Sequence, residues 1–214
     1  MTERAIDGLG DLARAAQDHG ELPVNAWDPP YCGDIGMKIC ADGRWLYQGS
    51  PINRLRMVKL FSRILRRDPD GRYYLVTPVE KVGISVEDAP FLAVEMDVAG
   101  SGRDQVLTFR TNVEDVVVID RDHPLFFRVE AATGGLKPYI RVRGRLNALV
   151  TRALYYDLVE LAEDVSDWKL DESFMASRPD CVSRQAFKAA VEERVPGVWS
   201  QNIWFALTPY ECDE

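Results

Sequence analysis

Two stretches of this sequence repeat one another in outline, and the repetition narrows the folds open to the chain. The first, Gly43–Lys81, reads as strand, turn, amphipathic helix, Asp-Gly turn and strand. The second, Lys137–Ala162, echoes part of it. In both, an aromatic-bearing strand meets a glycine (Gly49, Gly144), then an aliphatic–Asn pair (Ile52-Asn53, Leu146-Asn147), then a helix. A chain of 214 residues holds two small units of this kind. It can bury roughly 70% of its unfolded surface without disulfide or metal staples.

Periodicity fills in the rest. Ile6, Leu9, Leu12, Ala13 and Ala16 predict an amphipathic helix over residues 2–18. The proline-rich run after it is extended, with Trp27 as an apolar anchor. Ile35–Cys40 and Arg44–Gln48 predict a hairpin, and Asn53–Arg67 a long helix ended by Asp68-Pro69-Asp70-Gly71. Strands follow at Arg72–Val76, Val79–Val86, Phe91–Val98, Gln105–Arg110, Val116–Ile119, Leu125–Glu130 and Tyr139–Arg145. Asn147–Ala162 is the second long helix, Ser183–Val195 a further helix, and Val198–Leu207 a closing strand. The expected class is therefore α+β: two repeated units, each an antiparallel sheet plus one long helix. The expected divisions are residues 1–34 (N-terminal helix and extended segment), 35–100 (first unit) and 101–214 (second unit). The last includes an inserted acidic and helical excursion at about 163–195.

Charge and composition exclude several functions. A net charge of −8 argues against general nucleic-acid binding. No apolar run reaches the 18 or so residues of a membrane span, and the acidic N-terminal stretch lacks an apolar signal core, so a cytoplasmic protein is expected. The four cysteines show no CxxC spacing and only two histidines could join them, so no metal site is expected and no cofactor is called for.

The most informative local pattern is Tyr139-Ile140-Arg141-Val142-Arg143. Strand alternation puts Tyr139, Arg141 and Arg143 on one face, where a ring and guanidiniums suit a nucleotide or another anion. The bland alternative is a solvated face, or arginines neutralised within the chain. Arg54 and Asn147 stand at the two expected helix starts, where unpaired N–H groups favour an anion. Thr77 and Glu80 supply a hydroxyl and an acid at a strand break, and Glu87-Asp88 an acidic turn. No GxSxG, HExxH or Walker pattern occurs.

These residues also carry a resemblance. Trp27-Asp28-Pro29-Pro30, Cys32-Gly33-Asp34-Ile35, Asp42-Gly43, Trp45, Pro51-Ile52, Tyr74–Lys81 and Val86–Phe91 resemble the bacterial domain-of-unknown-function family 1285, over roughly residues 22–160. The resemblance implies a duplicated fold whose second unit is loosely like a pleckstrin-homology barrel. It also implies a nucleotide-type ligand at the domain interface and a role in signalling.

The leading expectation is a regulatory protein that binds a small anionic ligand, such as a nucleotide, in a cleft between the repeats. Arg54, Arg141 and Arg143 would contact phosphates, Tyr139 or Trp45 would stack the base, and Thr77, Glu80 and Asn147 would orient polar groups. The alternatives are a protein-interaction module and, third, a hydrolase using Glu80, Glu87 or Asp88.

Overall fold

The structure, a computed structural model, describes residues 22–164 and 192–209. The helix expected over residues 2–18 and most of the 163–195 excursion lie outside the described residues. The chain divides into two compact units. The first runs to Pro90 and takes in Gly144–Leu146; the second comprises Phe91–Arg143 and the chain from Asn147 on. Gly100, expected as the boundary, lies inside the second unit, just after its first strand.

The first unit comprises β1 (Tyr31–Ile39), β2 (Trp45–Tyr47), β3 (Ser50–Pro51), α1 (Leu55–Arg63), β4 (Leu65–Arg67), β5 (Tyr73–Val76) and β6 (Lys81–Val86). Its six-stranded sheet has the order β3-β2-β1-β6-β5-β4. The second unit comprises β7 (Phe91–Ala99), β8 (Val106–Thr111), β9 (Val116–Val118), β10 (Leu125–Val129), β11 (Leu136–Arg143), β12 (Leu146–Val150) and α2 (Arg152–Glu160). Its order is β10-β11-β12-β7-β8-β9. Renumbered from one and read from the opposite edge, that is the order of the first unit. Each sheet is two three-stranded runs joined where the first and last strands pair in parallel: β1 with β6, and β12 with β7.

The duplication is present, but the expected register and the long helices are not. Gly49 lies between β2 and β3, whereas Gly144 lies between β11 and β12, so the two glycines are not equivalent. α1 stops at Arg63 because Leu65–Arg67 pair with Tyr73–Leu75 across the Asp68–Arg72 turn. The Asp-Pro-Asp-Gly run closes a hairpin rather than ending a helix. Asn147 is likewise in β12, since its neighbours Ala148–Val150 pair with Phe91–Ala93, and α2 starts only at Arg152. The molecule is mostly β with two nine-residue helices among the described residues.

The closing strand is a hairpin, β13 (Gly197–Ser200) and β14 (Ile203–Ala206), turned at Gln201-Asn202, both at positive φ. Its Val198, Trp199, Trp204 and Phe205 are buried. Ser200 Oγ accepts from Leu107 N at 3.0 Å and donates to Ile119 O at 2.6 Å, fixing the hairpin on β8. The first unit is filled by Ile39, Trp45, Ile64, Leu75 and Val76.

Candidate functional site

A dense polar and aromatic constellation lies on the first unit's sheet, where β1 is irregular. Its register to β6 slips between Tyr31 and Asp34 and again between Asp34 and Lys38. Gly33 and Gly36 take φ of 99° and 68°, open to glycine and poorly accessible to other residues. Bulges of this kind re-aim a side chain. Here they lay the Asp34 carboxylate over its partner Gly83, where a Cβ would stand 1.8 Å from Asp34 Oδ1. Only glycine at position 83 leaves that seat open.

Around this seat, Asp34 Oδ1 accepts from Tyr31 OH at 2.9 Å and from Arg72 Nη2 at 3.0 Å. The Arg72 guanidinium lies 5.7 Å from the Tyr31 ring centre and 5.5 Å from that of Tyr74. The two rings meet edge to face at 5.9 Å. Tyr74 OH donates to Asp70 Oδ2 at 2.6 Å. That bond, helped by burial, pushes the Tyr74 hydroxyl up to about 12, so it stays protonated across the physiological range. Lys81 Nζ sits 4.8 Å from the Tyr74 ring centre and 3.0 Å from Asp68 Oδ2. Arg66 Nε donates to Asp68 Oδ1 at 2.5 Å. Burial raises the Asp68 carboxyl, but the bonds from Arg66 and Lys81 together outweigh it and hold the group below its usual value.

The network grades from a sheltered end to an open one. The Arg66 and Asp68 side chains are each 13% exposed, those of Arg72 and Asp34 51% and 63%. Tyr31 is itself 47% exposed. Three cations (Arg66, Arg72, Lys81) face three carboxylates (Asp34, Asp68, Asp70). Among the described residues, Arg72 Nε and Nη1 and Asp34 Oδ2 make no hydrogen bond. The open end therefore shows a fixed ring, a donor fork and an acceptor side by side.

The residues singled out from sequence fare differently. Trp45 is buried and stacked on Phe61 at 6.3 Å, and Tyr139 is buried and stacked on Phe126 at 5.6 Å. Neither ring offers a face to a base in this arrangement, because the core already uses both. Strand alternation does not set Tyr139 apart from Ile140 and Val142, since all three are buried. Arg141 and Asn147 are brought together, Nε donating to Oδ1 at 2.7 Å. Arg143 pairs with Asp115 at 2.5 Å and lies over the Phe91 ring. Thr77 is buried, and its hydroxyl accepts from the amides of Val79 and Glu80, closing the β5–β6 turn. Glu80 is half-buried and burial raises its carboxyl. Glu87 is occupied by Lys38 and the Ala41 amide. Arg54 is exposed at the start of α1.

Sequence reasoning passed over Tyr31, Asp34, Arg72 and Tyr74 as binding residues. The available signals were the paired glycines of Tyr31-Cys32-Gly33-Asp34-Ile35-Gly36 and the Arg72-x-Tyr74 alternation.

Family models for DUF1285, a domain of unknown function, match residues 22–89 (N-terminal domain) and 90–177 (C-terminal domain). The chain belongs to the DUF1285 family. A crystal structure of a DUF1285 protein from Silicibacter pomeroyi DSS-3 is 44% identical, covers 94% of this chain and 95% of its own, and superposes with a TM-score of 0.74. A second, from Shewanella baltica OS155, is 30% identical over 59% of this chain and 91% of its own, with a TM-score of 0.46. No curated protein matches. The junction of the two DUF1285 models, at residues 89 and 90, falls where the first unit ends. The C-terminal model stops before β13, so the buried hairpin lies beyond it. Among the described residues of this DUF1285 protein, no helix is long and apolar enough to cross a membrane.

Proposed function

We propose that this DUF1285 protein is a non-catalytic, cytoplasmic binding module with a regulatory role. It docks a protein partner on the Tyr31–Arg72–Asp34 face. The carrying observation is the immobilised Arg72, set between two tyrosine rings and tied to a carboxylate that is itself seated over Gly83. Tyrosine and arginine dominate binding hot spots, and a side chain already fixed loses less entropy on docking. The balanced charge of the cluster suits a partner presenting both a carboxylate and an N–H, and offers little to a polyphosphate. The Tyr74 hydroxyl stays protonated and the carboxylates of Asp68 and Asp70 are held ionised by their partners, so none is poised for proton transfer.

The pleckstrin-homology likeness of the second unit belongs to the same reading. What supports it is a run of six strands followed by α2. The test is affinity capture with the immobilised full chain, comparing wild type, Tyr31→Ala, Arg72→Gln and an Arg110→Glu control on the second unit. A protein held by wild type and control and lost by both site variants is the expected result. Equal retention by all four chains overturns the reading.

One observation favours the anionic-ligand reading. Arg54 and Arg56 stand exposed at the start of α1, which has no acidic residue in its first turn. A helix start beside exposed guanidiniums attracts a phosphate. Thermal unfolding against mononucleotides, dinucleotides and cyclic dinucleotides tests it. A nucleotide at a hundredfold its Kd stabilises by about 2.7 kcal/mol, and Arg54→Ala should abolish that shift.

A further inference from the structure

The segment Leu22–Trp27 belongs to neither sheet, yet it is held in place. Val24 is buried against Tyr74 and Val76, with Leu22 and Trp27 packed on the same cluster. A short turn, Val24–Ala26, is closed by Ala26 N donating to Pro23 O at 2.9 Å. One guanidinium fixes the backbone: Arg66 Nη1 donates to Val24 O at 2.9 Å and to Trp27 O at 2.7 Å. Arg66 is in turn aimed by Asp68, whose other oxygen takes Lys81. Among the described residues, the segment is thus seated by one side chain and a small apolar contact instead of a strand ladder. Such seats open at low cost compared with paired strands.

Tyr74 belongs to both arrangements. Its ring is part of the cluster that takes Val24 and Trp27, and it also carries Arg72 and Tyr31. Its hydroxyl is fixed on Asp70, so the ring can shift only with its neighbours. We infer that Leu22–Trp27 is a strap whose seating is coupled, through Tyr74, to occupancy of the Tyr31–Arg72–Asp34 face. The inference rests on the docking reading of that face. A partner carboxylate that bonds Arg72 where it stands keeps the cation on the Tyr74 ring, and the strap resting on that ring is held. By reciprocity, a seated strap holds Arg72 in its stacked position. Arg66 acts here as a positioning residue, with no contact to the partner.

Hydrogen exchange on the full chain tests the inference, read in the peptide over residues 22–30 and in β5 and β6 over residues 73–86. In Arg66→Gln the strap peptide should exchange faster while β5 and β6 stay protected. In Arg72→Gln, with Arg66 untouched, strap exchange should rise about fivefold, the low end of measured site-to-site couplings. Arg72→Lys, which keeps a cation near the ring, should return it towards wild type. Unchanged strap exchange in Arg66→Gln overturns the seat. A rise in Arg66→Gln with none in Arg72→Gln overturns the coupling. Equal loss of protection in β5 and β6 shows the strap to be part of the fold, and overturns it too. Capture of the partner by Arg72→Gln is a separate readout, so a failed coupling and a failed docking face are told apart.

Discussion

Replacing Gly83 by alanine should separate the candidate site from its scaffold. The new Cβ would stand 1.8 Å from Asp34 Oδ1, 3.1 Å from Asp34 Cγ and 3.3 Å from Arg72 Nη2. All three atoms end exposed side chains, and the backbone at Gly83 is not left-handed, so the strand itself accepts alanine. The carboxylate must swing away, giving up the bonds from Tyr31 and Arg72. Exposed ion pairs of this kind stabilise little. Alanine in a strand, meanwhile, regains about 0.5–1 kcal/mol relative to glycine through the unfolded chain. For a unit of this size 1 kcal/mol moves the midpoint by about 4–8 °C. The expected midpoint is therefore unchanged or a few degrees higher, while partner capture falls as it does in Arg72→Gln. Calorimetry and capture on the same preparations check both arms. A large drop in midpoint would refute the argument that Asp34 yields cheaply. Undiminished capture would refute the claim that Asp34 orients Arg72.

Gly197→Ala should behave in the opposite way, because its Cβ would meet Trp204 at 2.3 Å and the Phe205 carbonyl at 2.7 Å, both buried and fixed. Overpacking there costs about 1–3 kcal/mol or more, so the second unit should melt lower; an unchanged midpoint would show the hairpin free to shift. Ser200→Ala leaves Leu107 N and Ile119 O without their partner. Each unpaired buried group costs about 1–3 kcal/mol, which denaturant titration would register as a lower midpoint at unchanged slope. Glu80→Gln removes a half-buried carboxylate that burial has raised. Its folded value lies above its unfolded one, so its favourable contribution is present at low pH and lost as pH rises through the folded value. The variant should be the more stable at pH 7 and match wild type in acid, as melting curves at several pH values would show.

The strand hairpins were legible because alternation and local turn residues act over short range: β1–β2 across Asp42-Gly43, β5–β6 across Pro78 and β7–β8 across Gly100-Ser101-Gly102 lie close to their expected places. Helix lengths were not. Ile64–Arg67 and Asn147–Val150 continue an apolar period compatible with a helix, and long-range pairing with β5 and β7 overrides it. The site was hidden for a related reason. Tyr139 and Arg143 look like a binding face by alternation, but Phe126 and Asp115, distant in sequence, occupy them. The Tyr31–Arg72 cluster needs two bulges and a parallel partner strand to form, and neither leaves a mark in local periodicity beyond its glycines.

The connection from β9 to β10 shows what the C-terminal hairpin is for. These strands occupy opposite edges of the second sheet. In a flat six-stranded sheet the edges stand about 24 Å apart, at about 4.8 Å per strand. The chain between Val118 and Leu125 spans at most about 25 Å when fully extended. It is not extended, since Asp120 N donates to His123 O and Asp120 Oδ1 accepts the amides of Asp122 and His123. The sheet must therefore curl until its edges approach. β13–β14 packs between them, with Ser200 bonded to β8 and Pro209 bridged to Phe127 of β10. Removing the chain after Ser177, where the family model ends, would strip Val198, Trp199, Trp204 and Phe205 from that gap. At about 1.5–3 kcal/mol for each buried side chain, the loss rivals the whole stability of a domain, about 5–15 kcal/mol. A chain ending at residue 177 should keep a cooperative transition for the first unit and lose that of the second, as calorimetry with amide exchange would resolve. A second unit that still melts cooperatively would refute the hairpin's role as the plug of the curled sheet.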